Sequence, residues 1–376
     1  MTKIGVIGYG HIGRAITYLL QTRQPIRDAS EQYEVTAYDI VQPTSLLPNV
    51  NFVKLPAAGQ DRFDPAVQEN DIIIVATPYT MNVEIAEHVA QAGKAYFDMT
   101  EDNVVTDQVH ALFNQHGGVC MTQCGLAPGA VGIVAHTLME FFQDTEYVRD
   151  VQIRVGALPL NANNEIKYYL SWSPEGLINE YCNPCRAIKN YRFVDVEPLE
   201  GYETIVIDGL EYEAFNTSGG VGSFLESVRD PYPDEHKDAI IQSVNYKTIR
   251  YKGHCDHMKF LMRDLELYQN KNLLVNIFRN SVPYIHDDVI VIFVQVTGYV
   301  DGQLRVNQYV KKIYGSWMEG LSAIQLSTAS GICAAVEWYH SNKNGKLKNR
   351  GGVLYNHELD DGQLHKNPFW KTYMLD

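Results

Sequence analysis

Apolar residues follow two rhythms along this chain, and the change from one to the other falls near residue 125. Before it, short β-rich runs at residues 3–7, 34–38, 71–76, 95–98 and 119–122 are separated by stretches of helical spacing such as Ile12, Ile16, Leu19 and Leu20. Strands and helices that alternate in this way predict a parallel sheet covered by helices on both faces. The run Asp71-Ile72-Ile73-Ile74-Val75-Ala76 is apolar without alternation, as a doubly buried strand should be, and Pro78 ends it. From about residue 148 the strands are longer and pair locally: 148–157, 167–171, 204–207 and 211–215, the last two joined at Asp208-Gly209, then 287–300 and 303–310 about Asp301-Gly302. This half predicts a second α/β (α+β) domain with a mixed, largely antiparallel sheet. Helices are expected at 257–267, 271–280 and 320–340, the last interrupted at Gly331; 341–352 reads as a loop, with Phe369, Trp370 and Tyr373 beyond it available for docking.

A chain of 376 residues exceeds what one core usually organises, so two domains are expected. The net charge of −14 gives no polyanion-binding footprint and argues against nucleic acid or an anionic membrane surface as the main partner. Apolar stretches such as 289–294 fall far short of the roughly 18 residues of a membrane span. The first residues run directly into a strand pattern without a signal-peptide layout, which points to a cytoplasmic protein with its six cysteines reduced.

Gly8-Tyr9-Gly10-His11-Ile12-Gly13 lies between a strand and a helix, the context in which a glycine pattern becomes informative. Gly8 allows the tight turn, Gly10 lets backbone approach a pyrophosphate, and Gly13 permits close helix–strand packing, while the phosphates sit on free N–H groups at His11 and Ile12. The first domain is therefore expected to be a Rossmann-type doubly wound parallel sheet. Asp39 ends the second strand, 26 residues past Gly13, with the polar segment 21–32 absorbing the excess over the usual spacing. Its carboxylate would accept from the ribose hydroxyls, and no Arg follows in Ile40-Val41-Gln42-Pro43-Thr44, so NAD is expected rather than NADP. Thr77-Pro78, at the end of the fourth strand, falls where the nicotinamide half should lie.

Other residues carry candidate chemistry. Asp98 ends the fifth strand and could anchor an ammonium, relay protons or cap the following helix. Cys124-Gly125-Leu126-Ala127-Pro128-Gly129 ends the sixth strand, with a helix from about Pro128 whose open N–H groups would cradle a carboxylate or amide, or else a hinge. Cys182-Asn183-Pro184-Cys185 matches redox and zinc spacings but has no second half, and Gly253-His254-Cys255-Asp256-His257 lacks the ligand set of a catalytic metal. No metal is expected.

These pieces together resemble the saccharopine dehydrogenase family, and within it the lysine 6-dehydrogenases. The resemblance is carried by Gly13-Arg14-Ala15-Ile16, Gly125–Gly129, Gly156-Ala157-Leu158-Pro159, Trp172-Ser173-Pro174-Glu175-Gly176 through Tyr181, Tyr212–Phe215 and Thr248-Ile249-Arg250-Tyr251-Lys252-Gly253-His254. It implies a Rossmann domain at 1–124 to which the chain returns at about 312–376, with a substrate and dimerisation domain at 125–311 between them. It further implies hydride transfer between a nicotinamide and the CH–NH group of lysine, saccharopine or a related polyamine adduct, in a homodimer. By position, Cys124, Gly125, Trp172, Ser173, Thr217 and Arg250 would line the substrate crevice, with Arg250 on a substrate carboxylate. Asp98 is the first candidate for the proton acceptor and His254 the second. Two departures leave the substrate open: Cys182–Arg186 stands where members carry Arg-Pro-Ala-Arg, and Asn216–Gly222 replaces an Asp-Gly-Leu-Arg type segment. A polyamine-forming reductase or a catalytically silent nucleotide-binding protein remain the alternatives.

Overall fold

The computed structural model describes residues 1–23, 32–48, 50–142, 148–233, 238–359 and 364–375. The chain divides into two compact units, one formed by Met1–Ala130 with Gln325–Asp376 and the other by Val131–Ile324. The sequence reading divided it at 124/125 and 311/312. The later divisions have local causes: the helix α5, Ala130–Glu140, begins after the expected boundary, and the strand β14, Gln303–Tyr314, continues past residue 311.

The first unit is a seven-stranded sheet in the order β15-β6-β5-β4-β1-β2-β3, parallel throughout. Its strands are β1 Thr2–Ile7, β2 Tyr33–Asp39, β3 Asn51–Lys54, β4 Ile72–Val75, β5 Ala95–Phe97, β6 Val119–Met121 and β15 Gly352–Val353. Ile73, Val75, Tyr96 and Cys120 enter one buried layer with Ile85, Val89, Val109 and Phe113 of the helices α3 Asn82–Gln91 and α4 Asn103–His116. Of the segment 21–32 between the helix α1 His11–Thr22 and β2, residues 24–31 lie outside the described residues. α10, Ala323–Asn342, runs through Gly331 without interruption. A Cβ there would stand 2.5 Å from the Gly125 carbonyl oxygen, so the glycine serves close approach of helix to turn. Phe369 and Trp370 are buried, and the neighbouring Asn367 donates to the Ala334 carbonyl at 3.0 Å.

The second unit is built on an eight-stranded mixed sheet, β10-β11-β12-β7-β13-β14, with β8 against β12 and β9 against β8. β7 Val148–Pro159 and β12 Ser243–Arg250 pair in parallel, and the other ladders are antiparallel. The remaining strands are β8 Cys185–Lys189, β9 Arg192–Val196, β10 Glu203–Ile207, β11 Leu210–Asn216, β13 Asp288–Val300 and β14 Gln303–Tyr314. The helices α6 Pro174–Cys182, α8 His254–Lys259 and α9 Lys271–Ser281 contribute Leu177, Tyr181, Met258, Leu274 and Phe278 to one core with Phe215.

Two sequence expectations change here. Residues 167–171 are not a strand: Tyr168 and Leu170 alternate inward and are buried, yet Leu170 makes only a single bridge, to Tyr284. The helix expected at 257–267 is α8 followed by a wider π turn over Phe260–Asp264 and a short 3-10 turn over Leu267–Gln269.

Candidate functional site

The glycine turn between β1 and α1 fixes three positions differently. Gly8 has φ +97° and lies against β4's end, where an added Cβ would be 2.6 Å from the Ala76 carbonyl oxygen. At Gly13 a Cβ would stand 1.8 Å from the Gly8 oxygen, so this position is closed to any side chain. At Gly10 a Cβ would meet nothing within 4 Å. That open face lies at the N-terminus of α1, whose first residues are His11 and Ile12 and which carries no side-chain cap and no acidic residue in its first turn. The arrangement leaves a region of positive partial charge beside empty space. Thr77, two residues past the end of the β4 ladder, has a buried hydroxyl with no hydrogen-bond partner, and Pro78 beside it is exposed.

Asp39 is already engaged. Its Oδ2 accepts from the Tyr9 N–H at 2.7 Å and its Oδ1 from the Val41 N–H at 2.9 Å, so the carboxylate stitches β2 to the glycine turn. Two cations flank this edge: the Arg14 guanidinium lies 5.9 Å from the Tyr9 ring centroid, and Lys54 is the register partner of Asp39 on β3.

Asp98 follows β5 and is fully buried. Oδ1 accepts from the backbone of Gln123 at 3.0 Å and of Thr100 at 3.2 Å, while Oδ2 accepts from Asn82 Nδ2 at 3.0 Å and from the Tyr96 hydroxyl at 2.8 Å. Four donors occupy the four lone-pair sites of a carboxylate. Burial raises its pKa and the donors pull it back. Asp98 thus anchors the ends of β5 and β6, with no lone pair left for an ammonium or a transferred proton, and the cap of α4 is Asp102, accepting from Val105. Cys124 is buried, with its thiol directed at the Met121 and Thr122 carbonyls and its pKa pushed well up by burial, so it is no thiolate. Gly125–Gly129 is likewise buried except for a half-exposed Ala127, and α5 starts at Ala130 rather than Pro128, so the open cradle expected there is closed. Glu101, three residues beyond Asp98, is a half-buried carboxyl raised to about 7 by burial first and then by the charges of Asp102 and Asp98.

The second unit holds a different cluster. Arg250, the last residue of β12, is 2% exposed and makes no ion pair among the described residues. Its Nε–H donates to the Tyr181 hydroxyl at 2.9 Å and Nη1 to the Ile249 carbonyl at 2.9 Å, with the Tyr168 and Tyr181 rings 5.2 and 5.9 Å from its carbon. The nearest acid in register, Glu213, is consumed elsewhere: its oxygens accept from the N–H groups of Gly253 and Cys255 at the start of α8. Trp172 donates its indole N–H to the Tyr168 hydroxyl at 3.0 Å. Ser173 instead caps α6, accepting from the Gly176 N–H at 3.3 Å. Thr217 has a buried hydroxyl without a partner. His254 is fully buried, between the Tyr181 hydroxyl at 2.9 Å from Nε2 and the Ile166 carbonyl at 2.7 Å from Nδ1. Burial first, then the charge of Arg250, holds its pKa down to about 3. A neutral imidazole with both nitrogens engaged is unsuited to accept a proton at neutral pH. The structure therefore gathers Trp172, Arg250 and His254 around two tyrosines that the sequence reading did not mark as site residues. Cys182 and Cys185 are free thiols with raised pKa, and no metal-binding group of three ligands occurs among the described residues.

A parallel sheet with a glycine turn of this form defines the dinucleotide-binding class of α/β proteins. Residues 4–117 match the family model of the saccharopine dehydrogenase NADP binding domain and residues 125–354 that of the saccharopine dehydrogenase C-terminal domain. The chain belongs to the saccharopine dehydrogenase family. It is 24% identical over 161 residues to the saccharopine dehydrogenase [NADP(+), L-glutamate-forming] of Schizosaccharomyces pombe, a match covering 42% of this chain and 36% of that protein. It shares its fold with the apo saccharopine dehydrogenase (L-Glu forming) of Saccharomyces cerevisiae, at TM-score 0.70 and 14% identity over 97% of each chain. These findings overturn the expectation of NAD, since both the matched domain and the fission-yeast relative are NADP-binding. Asp39 already holds the backbone N–H groups of Tyr9 and Val41, and the cations beside it come from α1 and β3 rather than from the Ile40–Thr44 loop, which contains no arginine. Among the described residues, no helix is long and apolar enough to cross a membrane.

Proposed function

We propose that this chain is an NADP-dependent dehydrogenase acting on the CH–NH group of a lysine-derived amino acid, saccharopine or lysine. The observation that carries the reading is Arg250, a buried guanidinium that makes no ion pair among the described residues; burial opposes its charge, and Tyr181, Tyr168 and the charge of the buried Glu180 more than offset that. Its charge is sustained within the protein while the hydrogens of its outer edge are not spent, since among the described residues only Nε and Nη1 donate to protein acceptors, so the guanidinium is ready to take an anion there. Its planar fork suits the α-carboxylate of an amino acid. The NADP would rest on the first unit, pyrophosphate over Gly10 and the α1 N-terminus, 2′-phosphate near Arg14 and Lys54, with Thr77 offering its unpartnered hydroxyl. When bound it supplies the hydride acceptor. The residues of the chain do the rest: Arg250 binds and orients the acid, and Asp98 positions Gln123 and Cys124.

The test is absorbance of NADPH with saccharopine, lysine and carboxynorspermidine. Turnover of saccharopine or lysine supports the reading, turnover of carboxynorspermidine alone makes the chain a polyamine-forming reductase, and cofactor binding with no turnover makes it a silent binder. Arg250→Ala should raise KM for the accepted amino acid by roughly 30- to 1,000-fold, with Arg250→Lys recovering part of it. Lost thermal stability with unchanged KM would reduce Arg250 to a structural cation. We further propose that two copies pair through β14, an edge strand of 12 residues whose Leu304, Val306, Val310 and Tyr314 are exposed on one face. Antiparallel pairing of this strand with its own copy satisfies two-fold symmetry.

A further inference from the structure

Three contacts in the second unit determine one another's hydrogens. Arg250 can only donate, so Tyr181 receives the Nε–H on its oxygen. The single O–H of Tyr181 is then directed to His254 Nε2, 2.9 Å away, which must be bare to accept it. His254 Nδ1 faces a carbonyl, Ile166, at 2.7 Å and must carry the ring proton. One arrangement satisfies all three: a neutral histidine protonated on Nδ1, a tyrosine that accepts from the arginine and donates to the histidine, and a guanidinium fixed at its Nε edge. Nη1 spends one hydrogen on the Ile249 carbonyl, which leaves the rest of the Nη1–Nη2 edge without a protein acceptor among the described residues.

We propose that Tyr181 and His254 are positioning residues that aim the open edge of Arg250 at the substrate carboxylate, an inference that rests on the role proposed above for Arg250. Without the Tyr181 oxygen, the guanidinium would keep only the Ile249 carbonyl and the tyrosine faces, which attract a cation but do not fix its rotation. Without the His254 acceptor, the Tyr181 hydroxyl would lose the buried partner that fixes its torsion and ring position, and its lone pair would be held less firmly toward the Arg250 Nε–H. The relay therefore acts on binding of the acid and leaves the bond-breaking step alone.

Two measurements separate this inference from the functional reading beneath it. Nitrogen-15 NMR of the histidines reads the tautomer whatever the protein catalyses: a His254 protonated on Nδ1, with its signals shifted in Tyr181→Phe, is expected, and an Nε2-protonated ring overturns the relay. Steady-state kinetics with NADP and L-saccharopine or L-lysine, whichever is turned over, then reads the consequence. Tyr181→Phe and His254→Leu should each raise KM by roughly 10- to 100-fold, the loss of one hydrogen bond to a charged group, with kcat within about twofold. His254→Gln, whose side-chain oxygen can accept from Tyr181, should restore KM to within about threefold of the parent. NADPH affinity should be unchanged in all three, and a cooperative urea transition with the parent's far-ultraviolet circular dichroism certifies that the second unit is folded. Equal falls in kcat and kcat/KM, or a Gln variant as impaired as the Leu variant, would overturn the positioning role.

Discussion

Arg14 and Lys54 are two ordinary surface cations until Asp39 is seen with its oxygens occupied between them. If they hold a 2′-phosphate, the double variant Arg14→Ala, Lys54→Ala should weaken NADPH binding at least about tenfold, roughly 1.4 kcal/mol. NADH binding should change by less than about twofold, and equal weakening of both in a fluorescence titration would move the phosphate elsewhere. His254 makes a second prediction at this scale. Its folded-state pKa of about 3 lies below the ordinary 6.5, so between those values the unfolded chain takes up a proton that the folded chain refuses. Stability at this site is complete above about pH 6.5 and falls by roughly 1.4 kcal/mol for each unit of acidification below it. Urea unfolding of the parent and of His254→Gln at pH 7, 6 and 5 should show the slope flattened in the variant. Parallel slopes would mean that other groups carry the acid sensitivity.

Among the elements, α10 depends on a residue that its own helical preference disfavours. Alanine at 331 would gain roughly 1 kcal/mol of helix propensity, but its Cβ would lie 2.5 Å from the Gly125 oxygen and 2.9 Å from that of Cys124. Backbone cannot yield as a side-chain tip can, so Gly331→Ala should be net destabilising by about 1 to 3 kcal/mol. A variant unfolding at higher urea than the parent would show that the turn gives way. The same glycine looked like a helix breaker in the sequence, because the reason for it lies about 200 residues away. Strands buried on both faces, such as β4, are legible from composition alone, since nothing but apolar residues is tolerated there. β12 was not, because Ser243-Val244-Asn245-Tyr246-Lys247-Thr248-Ile249-Arg250 carries charges that are solvated by protein partners, Lys247 by Glu203 and Arg250 by Tyr181. The site divides likewise. The glycine turn is local and could be read, whereas Asp98 meets donors from α3, β5 and the segments following β5 and β6, and Tyr168 and Tyr181 read as core aromatics until an arginine is found between them.

For the whole molecule, the exposed face of β14 sets the quaternary prediction. Leu304, Val306 and Val310 are exposed along one face of the strand, and Trp317 and Met318, just past its end, are almost wholly exposed. Val306→Asp with Trp317→Ser should convert the dimer into a monomer by light scattering while leaving NADPH affinity intact; a parent that is already monomeric would remove the proposal. The order of the chain has a further consequence, for synthesis. Because Val131–Ile324 forms a unit of its own between two parts of another, the ribosome completes the inner unit before the outer one has its last helix and β15. At about 5 to 20 residues per second, β1 to β6 wait roughly 10 to 40 s in the nascent chain with the edge of β6 unpaired and the layer later filled by α10 uncovered. A truncated transcript or a stalled ribosome in that interval releases a finished inner unit tethered to an unfinished sheet, the form of this polypeptide most exposed to aggregation and most in need of a chaperone.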